Sequence, residues 1–223
     1  MFNNFSSFMP FILKGLEITV QVFLVGAVVA YSIALVAGLM RTSKNQVIRS
    51  VAAVFVELFR GTSLLVQMFF FVYTLPMIFP GLSMSNFLAG SIAVGLNYGA
   101  YASEVVRGAI HSIAVGQTEA AISLNMSKWQ RMRLVILPQA VRLMLPGFGN
   151  NAIELLKGTS LVYFIALADM TFQANVLRGS NNSLSNQIEI YTYLLVAYFI
   201  LALPLIFLAR WLEKRASKGV STS

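Results

Sequence analysis

Residues 18–40 read ITVQVFLVGAVVAYSIALVAGLM, a run without one formally charged side chain, set between Lys14 and Glu17 on one side and Arg41 on the other. Wound as a helix at 1.5 Å per residue, this stretch reaches about 35 Å, enough to cross a hydrocarbon core about 30 Å thick. It is too long for a secretory h-region, so it is read as a retained span, and no targeting peptide is expected to be removed.

The same pattern recurs outward from this run. Residues 61–80, 81–103 and 190–209 are comparably apolar, and 143–168 would be too but for Glu154 and Lys157 near its middle. With 57% of the 223 residues hydrophobic and only 11% charged, an ordinary soluble domain is excluded. A membrane barrel would need short alternating strands with closed edges, whereas helices satisfy their own backbone. The chain is therefore expected to be an all-α integral membrane protein, one domain over 1–223. Its five transmembrane helices are expected near 11–40, 50–76, 84–111, 140–166 and 188–213, with an elaborate polar loop over 112–139.

Basic clusters follow the first, third and fifth spans: Arg41/Lys44/Arg49, Lys128/Arg131/Arg133/Arg142 and Arg210/Lys214/Arg215/Lys218. The connection after the second span carries no charge, which places the N-terminus outside and the C-terminus in the cytoplasm. Because the net charge of +8 gathers at these membrane boundaries, it suits an anionic leaflet and argues against nucleic acid as a partner. The absence of cysteine excludes a disulfide framework and a thiol nucleophile.

Residues 1–10 lack a helical period and are expected to be an interfacial lead-in with an amphipathic turn. Pro76, Pro80 and Gly81 mark a short external break. A longer external connection over 169–187 carries Asn175, Arg178, Gly179, Ser180, Asn181 and Asn182 and has room for a short helix. It reads either as a solvated hairpin or as a contact for a solute-delivering protein.

Within the polar loop, residues 119–126 have helical character, with Gly116 permitting a turn before them and Ala120 and Ala121 small enough for close packing. Leu124, Trp129 and Met132 offer apolar contact inside a rim of Lys128, Arg131 and Arg133. That pattern fits a helix docked in a partner's groove and equally a helix lying on the membrane surface.

Glu119-Ala120-Ala121 followed by Leu137-Pro138 resembles the cytoplasmic signature of ABC importer membrane subunits, specifically the polar-amino-acid permease family. The likeness extends through Arg60-Gly61-Thr62, residues 97–104, Gly116-Gln117, Ile136 to Gln139 and Lys157-Gly158-Thr159-Ser160-Leu161. The resemblance implies a type I importer permease whose loop is a coupling helix, with Glu119, Ala120, Ala121, Leu124, Asn125 and Lys128 meeting the ATPase. Asn125 stands where that pattern commonly has glycine. The implied partners are a second permease subunit, identical or homologous, two cytoplasmic ATPase subunits and an extracytoplasmic solute-binding protein, all in or at a bacterial inner or plasma membrane. ATP and Mg2+ would belong to the ATPases, and this chain accordingly has no phosphate-binding Gly-x-x-x-x-Gly-Lys-Ser/Thr loop. No catalytic, cofactor-binding or metal-ligating residue is assigned to it. The implied solute is a polar amino acid or related zwitterion, the alternative being an amino-acid-like compatible solute or opine.

Three acid/base pairs sit at helical spacing: Glu57 with Arg60, Glu104 with Arg107, and Glu154 with Lys157. The last lies within an apolar run and reads as a structural salt bridge, a lining of the solute route, or a latch between subunits. Asn97, Tyr98 and Tyr101 combine hydrogen-bonding groups with an aromatic wall suited to a zwitterion, although ordinary helix packing also explains them. Gln67, Thr159, Ser160 and Tyr163 complete the candidate pathway set. His111, with no ligand cluster around it, reads as a neutral residue at a helix end. A channel, a membrane assembly protein and an ion-driven transporter are the competing classes. The sequence supplies neither a charge ring nor a carbonyl-rich filter for the first.

Overall fold

The computed structural model describes residues 4–181 and 183–217, so Asn182, Lys218 and the first three residues of the expected lead-in lie outside the described residues. Among the described residues no strand forms. In chain order the helices are α1 (Phe5–Leu13), α2 (Leu16–Arg41), α3 (Gln46–Gly61), α4 (Leu64–Phe69), α5 (Leu75–Ile78), α6 (Asn86–His111), α7 (Val115–Ser123), α8 (Lys128–Arg131), α9 (Leu137–Gly158), α10 (Met170–Ser180) and α11 (Leu184–Ser217).

The expected irregular lead-in is instead helical. α1 buries Phe8, Met9 and Ile12 against Met170 and Ala174 of α10 and Ile190, Tyr193 and Ala197 of α11. This tertiary burial supplies the order that its mixed Asn/Ser/Phe composition does not announce. α1 and α2 are joined through Gly15, where any side chain would collide with the backbone of Asp169.

α6 sits at the centre, packed on α2 along one side and α9 on the other, with α11 beyond α9. The α2–α6 seam is built of small residues. Gly26, Ala30, Ala34 and Gly38 recur every fourth position on α2 and meet the Gly95, Gly99 and Ser103 row of α6. A Cβ at Gly99 would stand 2.8 Å from the Ala30 carbonyl oxygen, so the backbones approach as only small residues allow. Val22, Met68, Val94, Leu155, Val162 and Ile165 fill one half of the interior, and Val106, Ala140 and Met144 the other.

By length and apolarity two helical stretches can cross a membrane, Phe5–Arg41 and Leu184–Arg215. The number rises to four when each of two bent pairs is taken as one span. α6, over the expected third span, is not among them, because its glycine, serine, asparagine and tyrosine residues lower its apolarity.

The expected continuous helix over 50–76 is two helical pieces, α3 and the α4–α5 stretch, meeting at 103°. Thr62 and Ser63 at the corner are extended. The other bent pair, Lys128–Ile165 with Met170–Ser180, turns by 51°. There a 3-10 turn over Thr159–Ile165 ends in left-handed Ala166 (φ 58°), and Asp169 caps α10 through the Thr171 and Phe172 amides at 3.1 and 2.9 Å. Two π-helical turns, Phe70–Thr74 and Met132–Ile136, each stand two residues before a proline, Pro76 and Pro138. The wider turn accommodates a residue that has no N–H to donate and whose ring crowds the carbonyl four positions back.

Candidate functional site

The corner between α3 and α4 gathers three of the expected pathway residues. A helix ends with carbonyls that have no intrahelical partner, and inside a membrane water does not supply one. Here side chains do. The Leu58 carbonyl accepts from Thr62 Oγ1 at 2.7 Å. The Phe59 carbonyl accepts from both Asn97 Nδ2 and Gln67 Nε2, each at 2.9 Å. The Arg60 carbonyl accepts from the Tyr101 hydroxyl at 3.3 Å, and the Thr62 carbonyl from Gln67 Nε2 at 3.3 Å. Asn97 Nδ2 also reaches Gln67 Oε1 at 3.3 Å, closing a knot in which both amides are buried. Gln67, Asn97 and Tyr101 thus come together around the backbone of the bend.

Glu154 and Lys157 stand together on α9, and Tyr98 packs against the inward face of the same helix. α9 turns Asn151, Leu155, Leu156 and Gly158 inward, while Asn150, Glu154 and Lys157 stand exposed in one stripe along its opposite face. The expected Glu154–Lys157 ion pair does not form among the described residues, unlike Glu104–Arg107 at 2.8 Å and Glu57–Arg60 at 3.9 Å. A pair at this spacing stabilises a helix by only about 0.2–0.5 kcal/mol, too little to hold two long side chains together without further support. Glu154 lies close enough to act electrostatically on Tyr98, whose ring covers Gly158 and whose carbonyl accepts from Asn151 Nδ2 at 3.2 Å. The remaining candidates turn elsewhere. Thr159 and Ser160 donate back to the Leu156 and Lys157 carbonyls at 2.6 and 2.8 Å. Tyr163 packs its ring on Phe164 and Phe172.

Near the C-terminal end of α6, charges from three helices interlock. Arg41 of α2 pairs with Glu104 of α6, which also binds Arg107 through Nε and Nη2 at 3.0 and 2.8 Å. Glu57 of α3 stands 3.9 Å from both Arg41 and Arg60, and Arg60 lies over the Tyr101 ring at 5.2 Å. Helical spacing exposed the local pairs, but Arg41–Glu104, spanning 63 positions, is visible only in three dimensions.

The connection itself holds two capped helices. α7 ends in a Schellman motif: Asn125 adopts φ 55°, its amide donates to the Ile122 carbonyl at 2.8 Å, and the Met126 amide donates to the Ala121 carbonyl at 3.1 Å. Asn125 therefore takes the left-handed conformation for which glycine is the usual residue. α8 opens with a reciprocal capping box between Ser127 and Gln130. Gln139 Nε2 donates to Gln117 Oε1 at 3.2 Å and ties α7 to the start of α9. Ala121 faces inward, whereas Glu119, Ala120, Leu124 and Lys128 are exposed, with Leu124 and Trp129 at 76% and 64%.

Two residues were not singled out from sequence. Asp169 is fully buried and accepts from the Tyr198 hydroxyl at 3.2 Å in addition to its two amides. Its place directly before a helix was the available signal. Asn150 belongs to the exposed polar stripe, a membership that emerges once the register of α9 is known.

An all-helical fold with long apolar stretches, bent helix pairs and a capped polar connection is that of a multi-pass membrane protein. The chain belongs to the family of binding-protein-dependent transport system inner membrane components, whose pattern matches residues 30–218. It is 40% identical over 213 residues to a probable amino-acid ABC transporter permease protein, y4tF, of Sinorhizobium fredii (strain NBRC 101917 / NGR234), covering 92% of this chain and 87% of that one. It is 38% identical over 206 residues to the glutamine transport system permease protein GlnP of Escherichia coli (strain K12), covering 92% and 93%. Among solved structures it resembles a chain of the crystal structure of an amino acid ABC transporter with histidines, with TM-score 0.86, 32% identity and coverage of 96% and 98%.

Proposed function

We propose that this chain is the membrane-spanning permease subunit of an ATP-driven importer for a polar amino acid or related zwitterion. Two such subunits, identical or homologous, would surround a passage. Two cytoplasmic ATPases would hydrolyse ATP with Mg2+, and an extracytoplasmic binding protein would deliver the solute. In this reading α6 is a fifth span, the N-terminus lies outside, and the C-terminus and the 112–139 connection are cytoplasmic.

The observation that carries the reading is the exposed Asn150/Glu154/Lys157 stripe on α9. Charged groups in mid-membrane are costly against lipid, so a face that carries them belongs against water, solute or another subunit. Tyr98 joins this stripe as pathway lining, and Thr159, Ser160 and Tyr163 shape the turn at its end. Gln67, Asn97 and Tyr101 fix the adjoining bend, through which a gate could be held. At the other end, Glu119, Ala120, Ala121, Leu124, Asn125 and Lys128 would receive the ATPase, whose closure moves the permease halves between outward and inward openings. The names of the relatives favour an amino acid; a compatible solute or opine is the alternative.

The test is uptake of radiolabelled polar amino acids into proteoliposomes holding the permease, its membrane partner, the ATPase and the binding protein. ATP-dependent accumulation of one amino acid is expected. An intact assembly that accumulates none, or sustained flux without the ATPase, overturns the proposal.

A further inference from the structure

We propose that the α2–α3 hairpin holds an anionic phospholipid, its headgroup in a basic pocket at the hairpin's turn and an acyl chain in the apolar groove beside it. The pocket, about 360 Å³, is lined by Arg41, Thr42, Ser43, Arg49, Ser50, Ala53, Arg107 and His111. No carboxylate is among its lining residues. Arg41 and Arg107 share Glu104, and Glu57 is drawn between Arg41 and Arg60, so the surrounding four arginines and two glutamates leave two positive charges unmatched. Arg49 has no acidic partner among the described residues and is exposed. Three guanidiniums with the Ser43 and Ser50 hydroxyls beside them, the Thr42 hydroxyl being donated to the Leu39 carbonyl at 2.8 Å, suit a phosphodiester, which accepts hydrogen bonds and donates none through its phosphate oxygens.

The second observation is independent of charge. A groove of about 390 Å³ lies between the same two helices, lined by Ser32, Ile33, Val36, Ala37 and Met40 of α2 and Val51, Ala52 and Phe55 of α3. Its one polar side chain, Ser32, donates back to the Val28 carbonyl at 2.7 Å and offers nothing to a polar ligand. Met40 adjoins Arg41 and Val51 adjoins Ser50, so the apolar groove and the basic pocket are continuous along the chain at the membrane boundary. A free phosphate would fill the pocket and leave the groove, whereas a zwitterionic lipid would fill the groove and carry no net charge to the pocket. One molecule satisfies both halves: a phospholipid with net negative charge. This inference rests on the proposed topology only in placing the pocket at the cytoplasmic leaflet.

The assembled complex, reconstituted in nanodiscs of phosphatidylethanolamine with either photoactivatable phosphatidylglycerol or photoactivatable phosphatidylcholine, tests this by mapping labelled peptides. Phosphatidylglycerol is expected to label the 33–55 segment several-fold more than phosphatidylcholine, without competition from excess inorganic phosphate. Arg49→Gln is expected to lower that labelling about fivefold, the effect of one basic side chain near an anionic leaflet. Its unchanged co-purification with the ATPase would show that the assembly survives. Equal labelling by the two lipids, insensitivity to Arg49→Gln, or competition by phosphate overturns the proposal. So does protection of the groove by protein, seen as cross-links from Val36 or Val51 positions to another subunit. Selective labelling of a complex that imports no amino acid would refute the transport reading and leave the lipid site standing.

Discussion

Replacing Asn97 and Gln67 by leucine, singly and together, tests whether these amides serve the break after α3. In Asn97→Leu the Phe59 carbonyl keeps Gln67 Nε2 at 2.9 Å, and in Gln67→Leu it keeps Asn97 Nδ2 at 2.9 Å. Each single change therefore removes bonds, at about 1 kcal/mol per bond, yet leaves that carbonyl paired, Gln67→Leu stripping the Thr62 carbonyl as well. The double change leaves it bare in a buried setting, where an unpaired carbonyl costs about 1–3 kcal/mol. In the opposite direction, the Asn97–Gln67 bond at 3.3 Å is lost by either single change and is counted twice in their sum. Interhelical bonds of that kind average about 0.6 kcal/mol in a membrane protein. The double variant is thus expected to be destabilised by about 1 kcal/mol more than the sum of the singles. Denaturant unfolding in mixed micelles reads the difference, and an additive or smaller loss would refute the reasoning. Uptake by the full complex adds a second reading: KM for the solute is expected to stay unchanged in Asn97→Leu, whereas a direct solute contact would raise it.

Asn125→Gly is expected to leave the α7 cap intact, whereas Asn125→Val, forced to φ 55°, loosens it by about 1–2 kcal/mol; faster hydrogen exchange at the Asn125 and Met126 amides in the valine variant alone is the readout. Ala120→Asp, which adds charge and bulk at the proposed ATPase contact, is expected to cut co-purification of the ATPase about tenfold or more, and undiminished recovery would remove Ala120 from the interface. Lys157→Ala is expected to lower ATP-dependent uptake while membrane insertion and thermal stability hold, because the side chain makes no ion pair among the described residues; normal uptake would return that stripe to a passive seam.

The helical, membrane-crossing character was legible because it depends on composition over long windows, and residues 18–40 declare it without structural help. The helical character of the 112–139 connection was legible in outline for a different reason: capping residues and small side chains act locally, as Ser127 with Gln130 does. The break after Gly61 was not. Neither Thr62 nor Ser63 forbids a helix, and the turn is stabilised by Gln67, Asn97 and Tyr101, two of them on a helix that begins 25 positions after Gly61, at Asn86. Gln67 and Asn97 could be read either as solute contacts or as packing residues because a polar residue in an apolar run signals a hydrogen bond without naming its partner. α1 stayed hidden because its order comes from burial against α10 and α11, more than 150 positions away.

That ambiguity resolves once each polar group's hydrogen bonds are counted. A side chain inside a membrane protein whose donors are engaged by backbone carbonyls has little left to offer a passing solute without undoing the fold around it. Gln67, Asn97, Thr159 and Ser160 are engaged in this way, each on a carbonyl within 3.3 Å. Glu154 and Lys157 have no ion-pair partner among the described residues and stand on the exposed face of α9. A solute carrying both an ammonium and a carboxylate would meet an acid and a base one helical turn apart, a match that a structural salt bridge would have cancelled. In the proposed topology both charges need protein, water or solute around them, and a second permease subunit facing this stripe would enclose the space in which such a solute could be held.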